Sequence, residues 1–465
     1  MRALFVNPPS PERLGAPLLS LQYVAASLLA RGWEVRVIDA SARFFHPSAD
    51  WILDEALSFR PDIVGMPLYT RWVWHAYRLL EQLRGRVPLL VAGGPHATAL
   101  PLETLQRGFD IAVAGEAELA IAEIAEFIEG KKQLDRIPGI WYRTQSGGFQ
   151  AGPPAPFIEN LDDLAFPENA QPLFDPAWYH ELGAETIPGG ILTSRGCPAQ
   201  CTFCANYVTG RGFRYRSAKD VAREIERYHE RYGVRFLPFW DDALTANTAR
   251  LYELCLAFER LRFPFTWSAI TRANMVNPEL LAAMKRAGCV SVNFGVESGD
   301  DGILRAIKKG IATRHVIRAL EWAKELGLKT ACNFMLGFPQ DTPETLENTV
   351  RFMERIAPLT DVFSTLGVVV PFPATPLYDG NHLQYGFTGW WLKPEYARYE
   401  DSPPITDFDR FYRHYIDDAN LQLDFFRYTP EVKEWIGTAL KFKAEHNLRA
   451  MGLLKDPVYA PVPTA

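Results

Sequence analysis

The sequence predicts an α/β protein: a doubly wound parallel sheet, then a partial barrel of six βα pairs, then a mainly helical C-terminal segment. Short apolar runs alternate with amphipathic stretches twice over, from residue 2 to about 130 and again from about 191 to 370. That alternation is the pattern of βα units around parallel sheets. Punctuation agrees, since Pro278 and Pro343 suit first helical turns and Gly288 and Gly327 suit helix exits. A chain of 465 residues also exceeds what one ordinary core organises, so more than one domain is expected.

Residues 1–139 form the first unit, a Rossmann-type domain with strands expected at 3–6, 34–39, 62–65, 89–94 and 110–115. Ligands of such sheets sit beyond the carboxyl ends of the strands. Asn7 to Ser10, Asp39, Pro67 to Trp72, Gly93 to His96 and Gly115-Glu116 fall there. These residues suit the mouth of a large cofactor, and they equally suit the turn geometry that strand ends require. Residues 140–187 hold a hairpin around Gly147-Gly148 and a proline-rich passage, read as a connection. The barrel occupies 188–380, with strands near 191–194, 236–240, 265–270, 291–296, 330–336 and 363–370. Its helices are expected at 218–232, 250–261, 278–287, 300–307, 313–326 and 343–356. Six pairs leave the barrel open. Residues 381–465 form a capping segment with Trp390-Trp391, an acidic run and a helix over 430–449, expected to close the opening.

Composition narrows the function classes. With 48% apolar residues, 22% charged residues and a net charge of -6, the chain reads as soluble and globular, with no nucleic-acid partner. Pro8-Pro9 interrupts any secretory apolar run, and no stretch approaches the roughly 20 apolar residues of a membrane span. Six cysteines are too few for a disulfide scaffold. A reducing cytoplasm is the expected compartment.

Three of those cysteines carry the strongest signal. Arg195-Gly196-Cys197-Pro198-Ala199-Gln200-Cys201-Thr202-Phe203-Cys204 is a C-x3-C-x2-C spacing directly after the first barrel strand, and thiolates this close can converge on one inorganic centre. Structural zinc wants a fourth ligand, and neither a cysteine nor a well-spaced histidine follows. Three ligands suit a [4Fe–4S] cubane with one iron left open; three packed core cysteines are the bland alternative. Position adds a second argument, because active sites of βα barrels lie at strand carboxyl ends. Asp241-Asp242, Thr271-Arg272, Glu297-Ser298-Gly299, Gly337-Phe338-Pro339 and Pro371-Phe372-Pro373 follow the later strands. All these clusters fall on one face.

Those motifs resemble the radical S-adenosylmethionine (SAM) enzymes over residues 191–377. Phe239 to Asp242, Phe294 to Gly299, the Ile307-Lys308-Lys309-Gly310 turn and Met335 to Pro339 resemble the subgroup with an amino-terminal cobalamin-binding domain. The resemblance implies that Cys197, Cys201 and Cys204 hold the cluster and that its open iron binds the methionyl group of SAM. Asp241, Asp242, Arg272, Glu297 and Ser298 would fix the amino group, carboxylate and ribose, with Phe203, Gly337 and Phe372 beside the adenine. It further implies a 5′-deoxyadenosyl radical and an electron donor such as flavodoxin or ferredoxin.

The first unit resembles the same subgroup through residues 21–32, 61–65, Gly93 to His96 and Gly115 to Glu118. Cobalamin would sit against Tyr69, Arg71, Trp72, Gly93, Gly94, Gly115 and Glu116. No D-x-H-x-x-G stretch is present, so no histidine is placed to replace the lower ligand, and bulky residues after the third strand could instead fill the groove. His75 and His96 are read as locally hydrogen-bonded, and Cys255, Cys289 and Cys332 as core. The leading function is cobalamin-dependent C-methylation of a small-molecule biosynthetic substrate. The alternative within this architecture is a cobalamin-free radical dehydratase or lyase of an aminosugar, served by a separate reductase. A non-catalytic scaffold or metal store is the third reading.

Overall fold

The computed structural model describes residues 1–10, 13–180, 188–393 and 424–452; the acidic run of the tail lies outside them. Five strands run parallel in the order β2-β1-β3-β4-β5: β1 Arg2–Asn7, β2 Glu34–Asp39, β3 Ile63–Pro67, β4 Leu90–Gly93 and β5 Ile111–Val113. Period-two alternation explains the double winding. Leu4 and Val6 pack on one face with the helices Ala49–Phe59 and Val73–Leu83. Ala3 and Phe5 pack on the other with Leu19–Leu29 and Ala117–Ile128. The chain reverses its strand order at β1 and β3, which opens a crevice at their carboxyl ends.

The expected hairpin is present and continues this sheet. β6 Ile140–Arg143 pairs antiparallel with β5, and β7 Phe149–Ala151 with β6. Ile140 and Tyr142 are buried on one side of the hairpin while Trp141 and Arg143 are half-exposed, so an apolar stripe draws it onto the sheet edge.

The second sheet holds β10 Phe236–Pro238, β11 Thr266–Thr271, β12 Cys289–Glu297, β13 Lys329–Leu336 and β14 Val362–Val368, all parallel and in sequential order. Trp267, Phe294, Phe334 and Phe363 share a buried core with residues of the surrounding helices. The first of the six expected strands differs. Ile191 bridges Phe239 alone, after which the Asp241 carboxylate takes the backbone N–H of Thr193 at 3.3 Å in place of a ladder partner. The chain then forms β8 Ser194–Arg195, which pairs antiparallel with β9 Arg214–Tyr215. This diversion carries the cysteine loop off the barrel wall and over its mouth.

The C-terminal helix Pro430–Ala450 covers an edge. Phe442 and His446 meet the Phe363 ring at 5.8 and 4.8 Å. Asn447 accepts from the Phe363 N–H and donates to its carbonyl, both at 2.9 Å, satisfying groups that an open barrel leaves bare. The segment just before this helix reaches the mouth, where Tyr428 donates to the Gly337 carbonyl. No helix among the described residues is long and apolar enough to cross a membrane.

Replacing Asn447 with alanine removes both bonds to the edge strand and is expected to cost about 1–3 kcal/mol. A urea denaturation midpoint unchanged from wild type would show that the helix does not seal that edge through Asn447.

Candidate functional site

The cysteine loop begins at Gly196, whose φ of +86° and whose position 2.2 Å from the Gly212 carbonyl, measured from an added Cβ, admit no side chain. Three anchors hold the loop. The Asp242 carboxylate accepts from the Gly196 N–H at 3.0 Å and from the Thr209 hydroxyl at 2.7 Å. Cys197 N–H donates to Gly210 O at 3.2 Å, and Thr202 is gripped from both sides, by Ile307 O at 3.0 Å and Leu377 N–H at 2.9 Å. Cys197 and Cys201 are half-buried and Cys204 is exposed. Although the residue is exposed at the surface, desolvation by the atoms packed around its sulfur pushes the Cys204 thiol up to about 11; the other two sulfurs and Asp242 add to this, and Lys309 opposes it. The thiols therefore feel one another, although no three metal-binding side chains among the described residues are gathered around one ion-sized point.

Around the loop the strand ends supply charge. Arg272, at the end of β11, lies with Nη1 3.5 Å from Cys201 Sγ. Its buried Nε has no hydrogen-bond partner among the described residues. Glu297 ends β12 in a left-handed conformation, φ 73°, and accepts from Lys309 at 2.6 Å. The Lys309 ammonium lies 5.9 Å from the centre of the Phe203 ring, and Phe203 meets Phe338 at 5.8 Å. The structure thus brings Cys201, Phe203, Arg272 and Glu297 together, as the sequence anticipates. Lys309 and Phe338, which stand in the Ile307–Gly310 and Met335–Pro339 motifs, join them.

Three expected SAM contacts take supporting positions instead. Asp241 is buried, and its oxygens accept from Thr193 and Ser194. Burial raises its pKa, against the pull of Arg250 and those hydroxyls. Asp242 is engaged by the loop itself. Ser298 is buried and shares a hydrogen bond of 3.1 Å with Thr349. Hydrogen-bonding groups deep in the wall have therefore taken Asp241 and Ser298, whereas Asp242 is exposed and held only by the loop. Gly337 lies at the mouth with φ +78° and the Tyr428 ring against it. Phe372 packs against the core 6.5 Å from Trp390.

In the first unit, Tyr69, Gly93, Gly94, Gly115 and Glu116 line one cavity of about 270 Å³. Phe5, Leu21, Val91 and Ile121 make its wall apolar, and nothing lies within 4 Å of a Cβ added at Gly93, so the space a side chain would take is left open. Trp72 joins Tyr69 in a neighbouring cavity of about 210 Å³, and Arg71 stacks 4.8 Å over the Trp72 ring. His96 is fully buried and meets Thr70, Tyr77 and Glu103 at 3.0 to 3.2 Å, which matches its reading as a locally bonded residue. Cys255, Cys289 and Cys332 are likewise buried.

Glu116 does more than line the cavity. It accepts from Arg195 at 3.1 Å and from Arg214 at 2.8 Å, and Glu118 holds the other Arg195 nitrogen. Both arginines flank the cysteine loop.

Residues 191–353 match the radical SAM superfamily and residues 16–125 the B12 binding domain. An uncharacterized methyltransferase of Pyrococcus horikoshii, PH0819, is 31% identical over 393 residues, spanning 82% of this chain and 83% of the relative. The chain belongs to the radical SAM superfamily, in the branch with an amino-terminal B12 binding domain. Cytidylyl-2-hydroxyethylphosphonate methyltransferase of Streptomyces wedmorensis is 28% identical over 69% of each chain. Among solved structures, the radical SAM methyltransferase TsrM of Kitasatospora setae superposes with a TM-score of 0.66 at 20% identity, covering 83% of this chain and 76% of that one. The cobalamin-dependent radical SAM enzyme OxsB gives 0.66 at 18% identity, with 83% and 56% covered. These likenesses carry the two-unit fold. Membership brings a [4Fe–4S] cluster, SAM and cobalamin as cofactors, with a small-molecule substrate and a need for reductant. Three thiols without a fourth, an orphaned guanidinium nitrogen beside them and an apolar cavity at the strand ends fit those groups.

Asp341 supports the mouth by accepting from the Gly337 and Phe338 N–H groups, each at 2.9 Å. Burial raises its carboxyl from 3.8 to about 6, which those backbone bonds only partly offset. A raised acid favours the folded state while protonated, so its stabilising share is complete below pH 3.8 and is lost as pH rises through about 6. The stability of Asp341→Asn relative to wild type is therefore expected to improve between pH 4 and pH 7.5, by roughly 1–3 kcal/mol. Parallel urea curves at the two pH values check this, and an equal difference at both would refute the assignment.

Proposed function

We propose that this chain is a cobalamin-dependent radical SAM methylase that transfers a methyl group to an unactivated carbon of a small-molecule substrate. The observation that carries the reading is a shared boundary: Arg195, Val208 and Thr209, which flank the cysteine loop, also line the apolar cavity of the B12 binding domain. A methyl carrier in that cavity and a SAM site on that loop would then face a common space. The methyltransferase names of two relatives support the same choice.

When bound, the cluster and SAM supply a hydrogen-abstracting radical, and cobalamin supplies a methyl carrier. Cys197, Cys201 and Cys204 would hold the cluster. Arg272 offers a fixed positive charge beside Cys201, suited to thiolate and carboxylate alike. Glu297 offers the opposite charge for an ammonium, and Lys309 keeps its carboxylate oriented. Phe203, Phe338, Gly337 and Phe372 form walls that exclude water from a reactive intermediate. Asp241, Asp242 and Ser298 set the backbone geometry from behind. Tyr69, Trp72, Gly93, Gly94 and Gly115 would bound the corrin, with Glu116 held by the arginines. The reductant we assign is a flavodoxin or ferredoxin, in a reducing cytoplasm.

Anaerobic reconstitution with iron, sulfide and hydroxocobalamin, followed by desalting, is expected to leave both cluster and corrin absorbance on the protein. Cys201→Ala is expected to lose the cluster band and SAM-derived 5′-deoxyadenosine together while keeping the corrin. A protein that forms 5′-deoxyadenosine yet retains no corrin would overturn methylation in favour of cobalamin-free radical chemistry.

A further inference from the structure

Two chains of contacts run from the first-domain cavity to the cysteine loop. The first starts at Thr209, which lines the cavity. Its hydroxyl donates to Asp242 at 2.7 Å, and the same carboxylate oxygen accepts from the Gly196 N–H at 3.0 Å, one residue before Cys197. The neighbouring Gly210 carbonyl accepts from Cys197 N–H at 3.2 Å. The second starts at Glu116 and Glu118, also in the cavity wall. They clasp Arg195, two residues before Cys197, and Glu116 binds Arg214, which donates to the Thr209 carbonyl at 2.7 Å. Arg195 and both glutamates have side chains no more than 8% exposed. In such surroundings a shifted contact is not absorbed by solvent.

Resting on the reading above, we infer that occupancy of the first-domain cavity and binding of SAM at the cysteine loop are energetically coupled, with Thr209, Asp242, Arg195 and Glu116 as the positioning residues. A cobalamin that presses on Thr209 and the Glu116 side of the wall restricts the backbone at Gly196 and Cys197. Less freedom then remains for SAM to remove when it binds. Thermodynamic linkage makes the effect reciprocal, so SAM tightens cobalamin by the same factor. None of these residues needs to touch SAM.

The test measures the SAM dissociation constant of the full chain, anaerobically reconstituted with its cluster, by equilibrium dialysis with and without saturating hydroxocobalamin. Cobalamin is expected to tighten SAM roughly fivefold or more. Thr209→Val cuts the first chain of contacts and Glu116→Gln weakens the second, and each should bring that factor toward one. Cluster loss to a chelator, followed by absorbance, reads the loop without turnover and should slow when cobalamin is present in wild type only. Corrin retained with an unchanged SAM constant would overturn the coupling while sparing the methylase reading, as would a factor that survives both substitutions. Retention of no corrin would overturn both.

Discussion

Arg195 lies two residues before Cys197, the first cysteine of the loop, and is buried between two glutamates of the other unit. Burial lowers its pKa, but Glu118, with Tyr23 and Glu116, more than offsets that, and the net shift is upward. The reciprocal holds for Glu118, whose pKa stays below the ordinary carboxylate value despite full burial because Arg195 is there. Buried pairs of this kind add little net stability, since desolvation cancels most of their attraction, yet removing one partner costs about 3–5 kcal/mol. Their consequence is geometric: the two units cannot slide without leaving a charge unpaired.

That constraint extends along the interface. Arg227 and Arg231 of the barrel unit both bind the buried Glu168 of the connecting segment. Gln22 of the first helix donates to Gln171 of the same segment at 2.9 Å. Apolar contact alone would tolerate small shifts in register, and the core the two units share is apolar; the directional bonds with fixed donors beside it do not. Within the barrel mouth the logic is complementary. Lys309 pairs with one oxygen of Glu297, while Arg272, 3.5 Å from Cys201 Sγ, sets a positive charge beside the sulfurs. A cluster held on those sulfurs would be stabilised by such a charge, and the left-handed Glu297 shows the backbone held in an uncommon conformation at that point, as binding sites often require.

Local signals in the sequence carried much of this. The βα alternation, the helix spanning Ala218–Tyr232 and the one spanning Pro343–Ile356 were legible because periodicity and capping residues act within a few positions. The cysteine spacing was legible for the same reason. What sequence reasoning missed depends on pairs far apart: Arg195 and Glu116 are separated by 79 residues, Arg214 and Glu116 by 98, and Tyr428 and Gly337 by 91. Asp241 illustrates the limit. A carboxylate after a barrel strand looks available until Thr193 and Ser194, 48 and 47 residues earlier, are seen to occupy it. The one-residue bridge at Ile191 has the same origin, because the acid that replaces the ladder is distant in sequence.

Chemistry that passes a group between two cofactors gains most from holding them in contact geometry, and small misplacements are costly. A single rigid domain could meet that demand by packing alone. Here the two cofactor sites belong to separately wound sheets, so the demand falls on the seam between them. The cysteine loop meets it by leaving the barrel wall at Ile191 and returning through β8 and β9, which places its flanking arginines against the first unit. The same diversion that breaks the barrel's first ladder is therefore what lets the loop lean on the neighbouring sheet.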